Sequence, residues 1–219
     1  RVRDLFLSFE EVIQKAYFGQ VSLSSTGFYR TPKIYYDRDK AAGRPFYYFA
    51  YGAACSEVIV DTLTGEYKML RTDILHDVGA SLNPAIDIGQ VEGAFVQGMG
   101  WLTMEELVWN GKGKLMANGP ASYKIPAIAD MPLDLRVNLV ENRKNPEDTV
   151  FHSKAVGEPP FMLGIAVWCA IKDAVASLAD YRVQPQIDAP ATPERVLWGV
   201  EQMKKLQQTA KSAAAAEVE

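Results

Sequence analysis

The sequence is poor in the residues that build zinc and disulfide frameworks. It holds two cysteines, Cys55 and Cys169, and two histidines, His76 and His152, and none falls at a metal-ligand or disulfide-scaffold spacing. Both cysteines lie in apolar surroundings, so two small buried thiols in a reducing compartment are expected, with the cytoplasm as the default. No continuous apolar run approaches the roughly 18 residues of a membrane span; the longest, 161–171, suits a buried core helix. A basic excess is also missing. The formal net charge is −4, which argues against nucleic acid as a partner. The opening Arg1-Val2-Arg3-Asp4 has neither an initiator Met nor a signal-peptide apolar region, so the chain reads as one entered mid-course, a piece of a longer protein. No internal repeat, P-loop, Ser-His-Asp order or dinucleotide glycine pattern appears.

What is present is an ordinary globular balance over 219 residues, 48% hydrophobic and 23% charged, enough apolar surface for a core. A first helix is expected over 8–17, with Ser8 as N-cap and Glu10 and Glu11 in its first turn. A polar loop over 22–32 follows. Strand signals run over 46–54 and 57–61, then Thr62-Leu63-Thr64-Gly65 turns the chain into a returning strand over 67–75, a hairpin. Residues 133–140 alternate as a half-buried strand. From Gly89 the apolar positions Val91, Ala94, Phe95, Gly98, Met99 and Leu102 form one helical stripe. A further helix over 160–180 is apolar nearly all round at first, so its N-terminal half should be the buried one. The last starts at Thr192-Pro193 and reaches about Gln207. Residues 208–219, with four consecutive alanines, have nothing to anchor them and should fray. The fold class is therefore α+β, a mixed or antiparallel sheet with packed helices, and 1–207 form one domain.

Two segments stand out chemically. In Ser153-Lys154-Ala155-Val156-Gly157-Glu158-Pro159-Pro160, the proline pair favours an extended Glu158 just outside a helix start. If the helix behind it is buried, that carboxylate faces an enclosed site, the placement a general base needs. A solvated acidic residue at a helix start is the commoner outcome for such a pattern. In Asp87-Ile88-Gly89-Gln90-Val91-Glu92-Gly93-Ala94-Phe95-Val96-Gln97-Gly98, interior glycines cost a helix about 1 kcal/mol each. Close packing or a ligand at the backbone would offset that cost. Gln90, at the expected helix start, offers a donor and an acceptor to a heterocycle's amide edge; glycine-mediated packing with a solvated Gln90 is the alternative. His152 is a possible second proton carrier but more often such a histidine is structural. Arg30 suits an anion or a carbonyl, and Glu105-Glu106 a solvated face.

These two segments carry a resemblance. Ala155-Val156-Gly157-Glu158-Pro159-Pro160 resembles the active-site glutamate motif of the molybdenum hydroxylases, the xanthine dehydrogenase/aldehyde oxidase family. Gly89-Gln90-Val91-Glu92-Gly93 with Val96-Gln97-Gly98 is similar to that family's pterin-binding helix. The likeness extends from the Val21-Ser22-Leu23 region to Ala189-Pro190-Ala191-Thr192-Pro193-Glu194. The loop Thr26 to Pro32 and Asp77-Val78-Gly79-Ala80-Ser81-Leu82-Asn83-Pro84 look like the xanthine dehydrogenase branch. The resemblance implies a C-terminal molybdopterin-binding domain, with Glu158 as general base and Gln90, Lys154, Ala155, Val156 and Gly157 at the cofactor. It implies no protein ligand to the metal. The cofactor would be molybdenum–molybdopterin, with iron–sulfur clusters, FAD and NAD on other domains or subunits. The implied partners are the rest of the molybdenum subunit, an iron–sulfur/FAD subunit and a small purine, hypoxanthine or xanthine going to urate. Aldehydes or other N-heterocycles stay open as substrates, because the family's substrate-orienting residues lie upstream of Arg1, and the isolated chain is expected to be inactive.

Overall fold

The structure is a computed structural model that describes residues 6–216, with the side chains of 210, 211 and 213–216 outside the description. The Arg1-Val2-Arg3-Asp4 opening and residues 217–219 of the tail lie outside the described residues. The backbone forms two compact units, Arg1–Tyr47 and Tyr48–Glu219.

In the first unit, α1 (Phe9–Phe18) begins where the sequence places it. The Ser8 hydroxyl accepts the Glu11 N–H while the Glu11 carboxylate accepts the Ser8 N–H, a reciprocal cap. None of its residues is buried. The polar loop continues to a short hairpin that periodicity did not reveal, β1 (Tyr35–Asp37) against β2 (Ala42–Arg44). Asp37 Oδ1 closes its turn by accepting the N–H groups of Asp39 and Lys40.

The second unit is built on a three-stranded mixed sheet, order β3-β4-β5. The two strand signals before the turn merge into a single β3 (Gly52–Val60) whose burial alternates from Ala53 onward; its ladder shifts register opposite Glu57 and Val58, where the partner strand carries one extra residue, Leu70. Residues 46–51 are not strand. The turn is tight: Asp61 N–H donates to Glu66 O, and Gly65 takes φ +75° with the backbone of Pro193 and Leu197 pressed where a side chain would go. β4 (Tyr67–His76) returns antiparallel to β3, and β5 (Asp134–Leu139) runs parallel to β4. Thr72, Ile74 and His76 are buried at every second position of β4, and Met69 is buried too because the ladder skips Leu70 between Arg71 and Met69.

Three helices cover the sheet's apolar surface. α2 (Pro84–Thr103) starts earlier than expected because the Asn83 side chain caps it at Ile86 N–H and Pro84 suits its first turn. The helix expected over 160–180 opens as a 3₁₀ segment, Pro159–Gly164, continues as α3 (Ile165–Ala176) and tightens again over Ser177–Ala179. Burial is not confined to the opening half: Pro160, Gly164 and Val167 are buried there beside exposed Met162 and Ile165, and Ile171, Val175, Ala176 and Ala179 are buried in the second half. The stretch Pro159–Ala179 has the length and hydropathy to cross a membrane, with 28% of its apolar 18-residue window buried; a core helix of a globular domain meets the same test. α4 (Pro193–Ala216) passes the expected end at Gln207. Phe95, Met99, Ile171, Val196, Val200 and Met203 meet in the core.

Two expectations fail on burial. Cys55 and Cys169 are exposed free thiols: Cys55 points off the core-facing side of β3, and Cys169 lies on the outer side of α3. Both border one surface groove with Trp168 and Lys172. Glu105 is buried, accepting the Tyr123 hydroxyl at 2.6 Å, and Glu106 pairs with Arg195 at 2.7 Å. The helix ends at Thr103, so neither belongs to a solvated helical face.

The tightest packing is the crossing of α2 over Pro159–Gly164. A side-chain carbon on Gly98 would collide with the Phe161 carbonyl, and one on Gly164 with the Gly98–Met99 peptide. Around Gly93, by contrast, nothing lies within 4 Å. Gly98→Ala in this chain should therefore lose about 1–3 kcal/mol by overpacking, while Gly93→Ala should gain up to about 1 kcal/mol of helix propensity. Urea denaturation of the two variants measures this, and equal effects would remove the crossing's special status.

Candidate cofactor and proton-transfer site

The early start of α2 puts Gln90 in its second turn instead of at its beginning. Val91, Ala94, Phe95 and Met99 turn into the core, leaving Ile86, Gly89, Gln90, Gly93 and Gln97 as an exposed stripe. The Gln90 amide has no hydrogen-bond partner among the described residues.

The second segment reaches this stripe through a compact loop. Asn145, fully buried, is its hub. Its amide donates to Thr149 Oγ1 and Ser153 O, its side-chain oxygen accepts Glu147 N–H, and its own N–H donates to His152 O. Phe151 and His152 both take left-handed backbone angles, φ 49° and 58°, which β-carbon sterics disfavour and surrounding contacts must enforce. His152 Nδ1 faces two carbonyl oxygens, Asn145 O at 3.1 Å and Glu147 O at 3.2 Å. Two acceptors demand a donor, so Nδ1 carries hydrogen and the ring serves the loop.

From there the chain is stitched to the end of β4. Lys154 N–H donates to Val78 O, Ala80 N–H donates to His152 O, and Gly79 bridges Ser153. Gly79 has φ +66°, and a β-carbon there would crowd His152 O and the Lys154 side chain. The Lys154 side chain, 3% exposed, pairs with Asp77, 4% exposed, at 2.7 Å. Its ammonium also donates to Phe49 O and lies 5.4 Å from the centre of the Tyr51 ring. Next, Ala155 N–H donates to the Tyr48 hydroxyl at 2.8 Å, and Val156 packs against the core. Gly157 arrives beside α2: a side-chain carbon on it would stand 3.3 Å from Gln90 Oε1.

Glu158 differs from expectation twice. Its backbone is helical, φ −106° and ψ −31°, not extended. The chain turns straight into the 3₁₀ segment, and Phe161 N–H closes on Glu158 O at 3.0 Å; that bond outweighs the preference imposed by Pro159. The side chain is exposed within this chain and has no hydrogen-bond or ion-pair partner among the described residues. The structure thus brings Gln90, Ala155–Gly157 and the start of the Glu158 turn to one surface. Arg30 lies exposed in the first unit. A cavity of about 940 Å³ opens at the other end of β4, around Tyr67, Lys124 and Asp130, and includes none of the predicted site residues.

Sequence reasoning missed Asp77, Tyr48 and Asn145 as partners. Lys154 and Asp77 are 77 positions apart, and no local spacing signals that pairing. Burial pushes the Asp77 carboxyl up, but the Lys154 hydrogen bond, the Gly79 N–H and the charges of Lys154 and Arg143 together hold it below the usual carboxyl range. His76, fully buried with neither ring nitrogen hydrogen-bonded, is kept below the usual imidazole range by burial, with Asp77 opposing and Lys154 assisting.

The model of the molybdopterin cofactor-binding domain matches residues 1–132. The chain belongs to that family. Gln90 falls within the matched part, Glu158 beyond it. The molybdopterin domain is 52% identical to xanthine dehydrogenase/oxidase of Mus musculus over 195 residues, 86% of this chain and 14% of that protein. It is 47% identical to aldehyde oxidase 2 of Macaca fascicularis over 192 residues, again 86% of this chain and 14% of the relative. The chain therefore spans about a seventh of the relatives it matches. Aldehyde oxidoreductase from Desulfovibrio gigas superposes with a TM-score of 0.61 at 28% identity, over 77% of this chain and 17% of that one. The α+β assignment agrees with this architecture.

The residues fit a pterin. An uncommitted carboxamide stands on a bare, glycine-lined helix face, and a glycine turn passes beside it, so a flat heterocycle could approach backbone and amide together.

The two shifted groups give the domain a pH signature. Asp77's folded value is depressed, so its stabilisation is complete above about pH 3.9, the unfolded value, and is lost as pH falls through the folded one. His76 is also depressed: the unfolded chain takes up a proton near about pH 6.5 while the folded ring stays neutral, so stability declines as pH drops below that point. Urea denaturation at about pH 8, 6.5 and 5 should show this decline, and His76→Leu should flatten it. A decline unchanged in His76→Leu would assign it to other groups.

Proposed function

We propose that this chain is the C-terminal catalytic region of a molybdenum hydroxylase that oxidises purines, hypoxanthine and xanthine to urate, with Glu158 as general base. The observation that carries the reading is the convergence of Gln90 and the Gly157–Glu158 turn, both functional side chains uncommitted. The identity to xanthine dehydrogenases supports the purine. When bound, the molybdenum–molybdopterin group supplies a two-electron acceptor and a route for water's oxygen to the substrate carbon. Gln90 reads the pterin's amide edge, and the Ala155–Gly157 backbone borders the cofactor. Glu158 accepts a proton at its carboxylate while a substrate C–H becomes C–OH, so that two protons and two electrons leave for each water consumed. Iron–sulfur clusters, FAD and NAD, on other domains or an iron–sulfur/FAD subunit, take the electrons onward. A cytoplasmic setting completes the reading, supported by two free thiols. A second reading, oxidation of aldehydes or other N-heterocycles, is favoured by the aldehyde oxidase relative. Steady-state kcat/KM on xanthine, hypoxanthine and an aromatic aldehyde separates the two.

Glu158→Gln in the complete enzyme keeps shape and removes the base. The expected loss is about 10²–10⁴-fold, roughly 3–5 kcal/mol of barrier, in the single-turnover reduction of molybdenum by xanthine, with metal content unchanged. A rate within about threefold of the parent would dismiss Glu158 as base. His152→Ala should alter the rate little, because its ring is engaged with Asn145 and Glu147 carbonyls.

Gln90→Ala should weaken cofactor retention by about 1–3 kcal/mol, the cost of leaving buried pterin groups unpaired. Molybdenum and pterin content after dialysis reads this out, and parental retention would return Gln90 to a solvated role.

A further inference from the structure

We infer that the buried Asp77–Lys154 ion pair is a latch that sets the position of the Ala155–Glu158 turn, which makes Lys154 a positioning residue whose ammonium does not contact the cofactor. The inference rests on the reading of Glu158 as base.

Both ends of the latch are anchored. Asp77 follows directly on the central strand β4, and its N–H donates to Tyr51 O at 2.8 Å. One carboxylate oxygen accepts Gly79 N–H at 2.9 Å and the other accepts Lys154 at 2.7 Å. Arg143 approaches the latter oxygen at 3.5 Å from an exposed position. The Lys154 ammonium is spent on Asp77, Phe49 O and the Tyr51 ring. At 3% exposure it offers no charge to a ligand on the surface, where Gln90 stands.

The turn after Lys154 has few ties of its own. Ala155 N–H has the Tyr48 hydroxyl, Val156 has the core, a side-chain carbon on Gly157 would meet only Gln90 Oε1 within 4 Å, and Glu158 accepts Phe161 N–H at its backbone oxygen but has no side-chain partner among the described residues. The turn is thus held to α2 after Glu158 by the glycine crossing, and before Ala155 by the backbone bridge at Gly79 and the charge pair beneath it. Removing the Asp77 charge leaves the buried Lys154 ammonium with no counter-charge, and removing the Lys154 charge leaves buried Asp77 with only the longer contact to exposed Arg143; the bridge then has to open to let water in. A displacement on the order of 1 Å at a catalytic group can cost about 100-fold in rate.

The test uses the complete, cofactor-loaded enzyme with Asp77→Asn, Lys154→Met, and the double variant Asp77→Leu/Lys154→Met. The double variant removes both charges together, so it folds even if a single variant does not accumulate. Two readouts are taken. Deuterium uptake of the peptide covering residues 154–164 should rise about tenfold or more in each variant, with peptides from α2 and β4 unchanged. The kcat per bound molybdenum should fall about 10–100-fold while KM and molybdenum content hold, and the double variant should lose no more than the worse single variant, because the two residues act as one unit. Unchanged uptake in 154–164 would overturn the latch. So would loss of molybdenum in Lys154→Met alone, which would make Lys154 a cofactor contact, or multiplied losses in the double variant. Failure of the Glu158 reading shows separately, as a parental rate in Glu158→Gln beside a raised uptake in the latch variants.

Discussion

Where α2 crosses the Pro159–Gly164 turn, two backbones meet with no side chain between them. Gly98 faces the Phe161 carbonyl, and Gly164 faces the peptide joining Gly98 to Met99. Any β-carbon at either position would push the elements apart. The closeness matters beyond packing, because both candidate site segments take their positions from it. Gln90 lies two turns back along α2, and Gly157 lies just before the 3₁₀ segment. A helix is stiff and a proline-led turn is stiff, so the crossing sets one end of the spacing between Gln90 and Gly157. The penalty for interior glycine in α2 is met there by backbone contact; at Gly89 and Gly93 nothing among the described residues meets it.

A second constraint acts from the opposite side. The loop carrying Phe151 and His152 in left-handed angles would relax if left alone. Asn145, with three side-chain hydrogen bonds, and His152, with two carbonyls at its Nδ1, hold it in place. Rigid elements therefore enter the turn from both ends: a strained loop stitched to β4 before it, and a glycine crossing after it. Ala155 to Glu158 between them have little structural employment, and the side chains of Glu158 and of Gln90, on α2 beside the turn, have no hydrogen-bond partner among the described residues.

Much of this was legible from the sequence where one physical preference dominated. The reciprocal Ser8/Glu11 cap, the Thr62–Gly65 turn, the alternation before Val140 and the Thr192-Pro193 start are all local, and all appear. The start of α2 was misread because Asn83-Pro84 was passed over as a cap in favour of the apolar stripe that begins later. Glu158's conformation was misread because the restriction before proline is a preference of the isolated dipeptide, and a closing hydrogen bond from Phe161 overrides it. The cysteines were assigned by the polarity of their neighbours in sequence, whereas exposure depends on which side of β3 and α3 they occupy. Asp77 and Lys154 were visible as members of two suggestive segments but not as partners, since only the fold joins them.

The exposure of Glu158 is consistent with a base only if placement and dryness come from different parts of the protein. A carboxylate in open water is solvated, and water competes with any substrate proton for it. Nothing among the described residues shields it. What this chain provides is position, through the crossing, the bridge at Gly79 and the buried charge pair. The bare stripe Ile86, Gly89, Gln90, Gly93 and Gln97 ends beside the same turn, so a single body laid along α2 would cover both the stripe and the carboxylate. In the proposed reading that body is the pterin together with the remainder of the subunit. It would offset the open glycines of α2 and exclude water from Glu158 in one contact. The division is physically sensible, because a rigid turn can be built by one segment, while desolvation of a charge requires surface on every side of it.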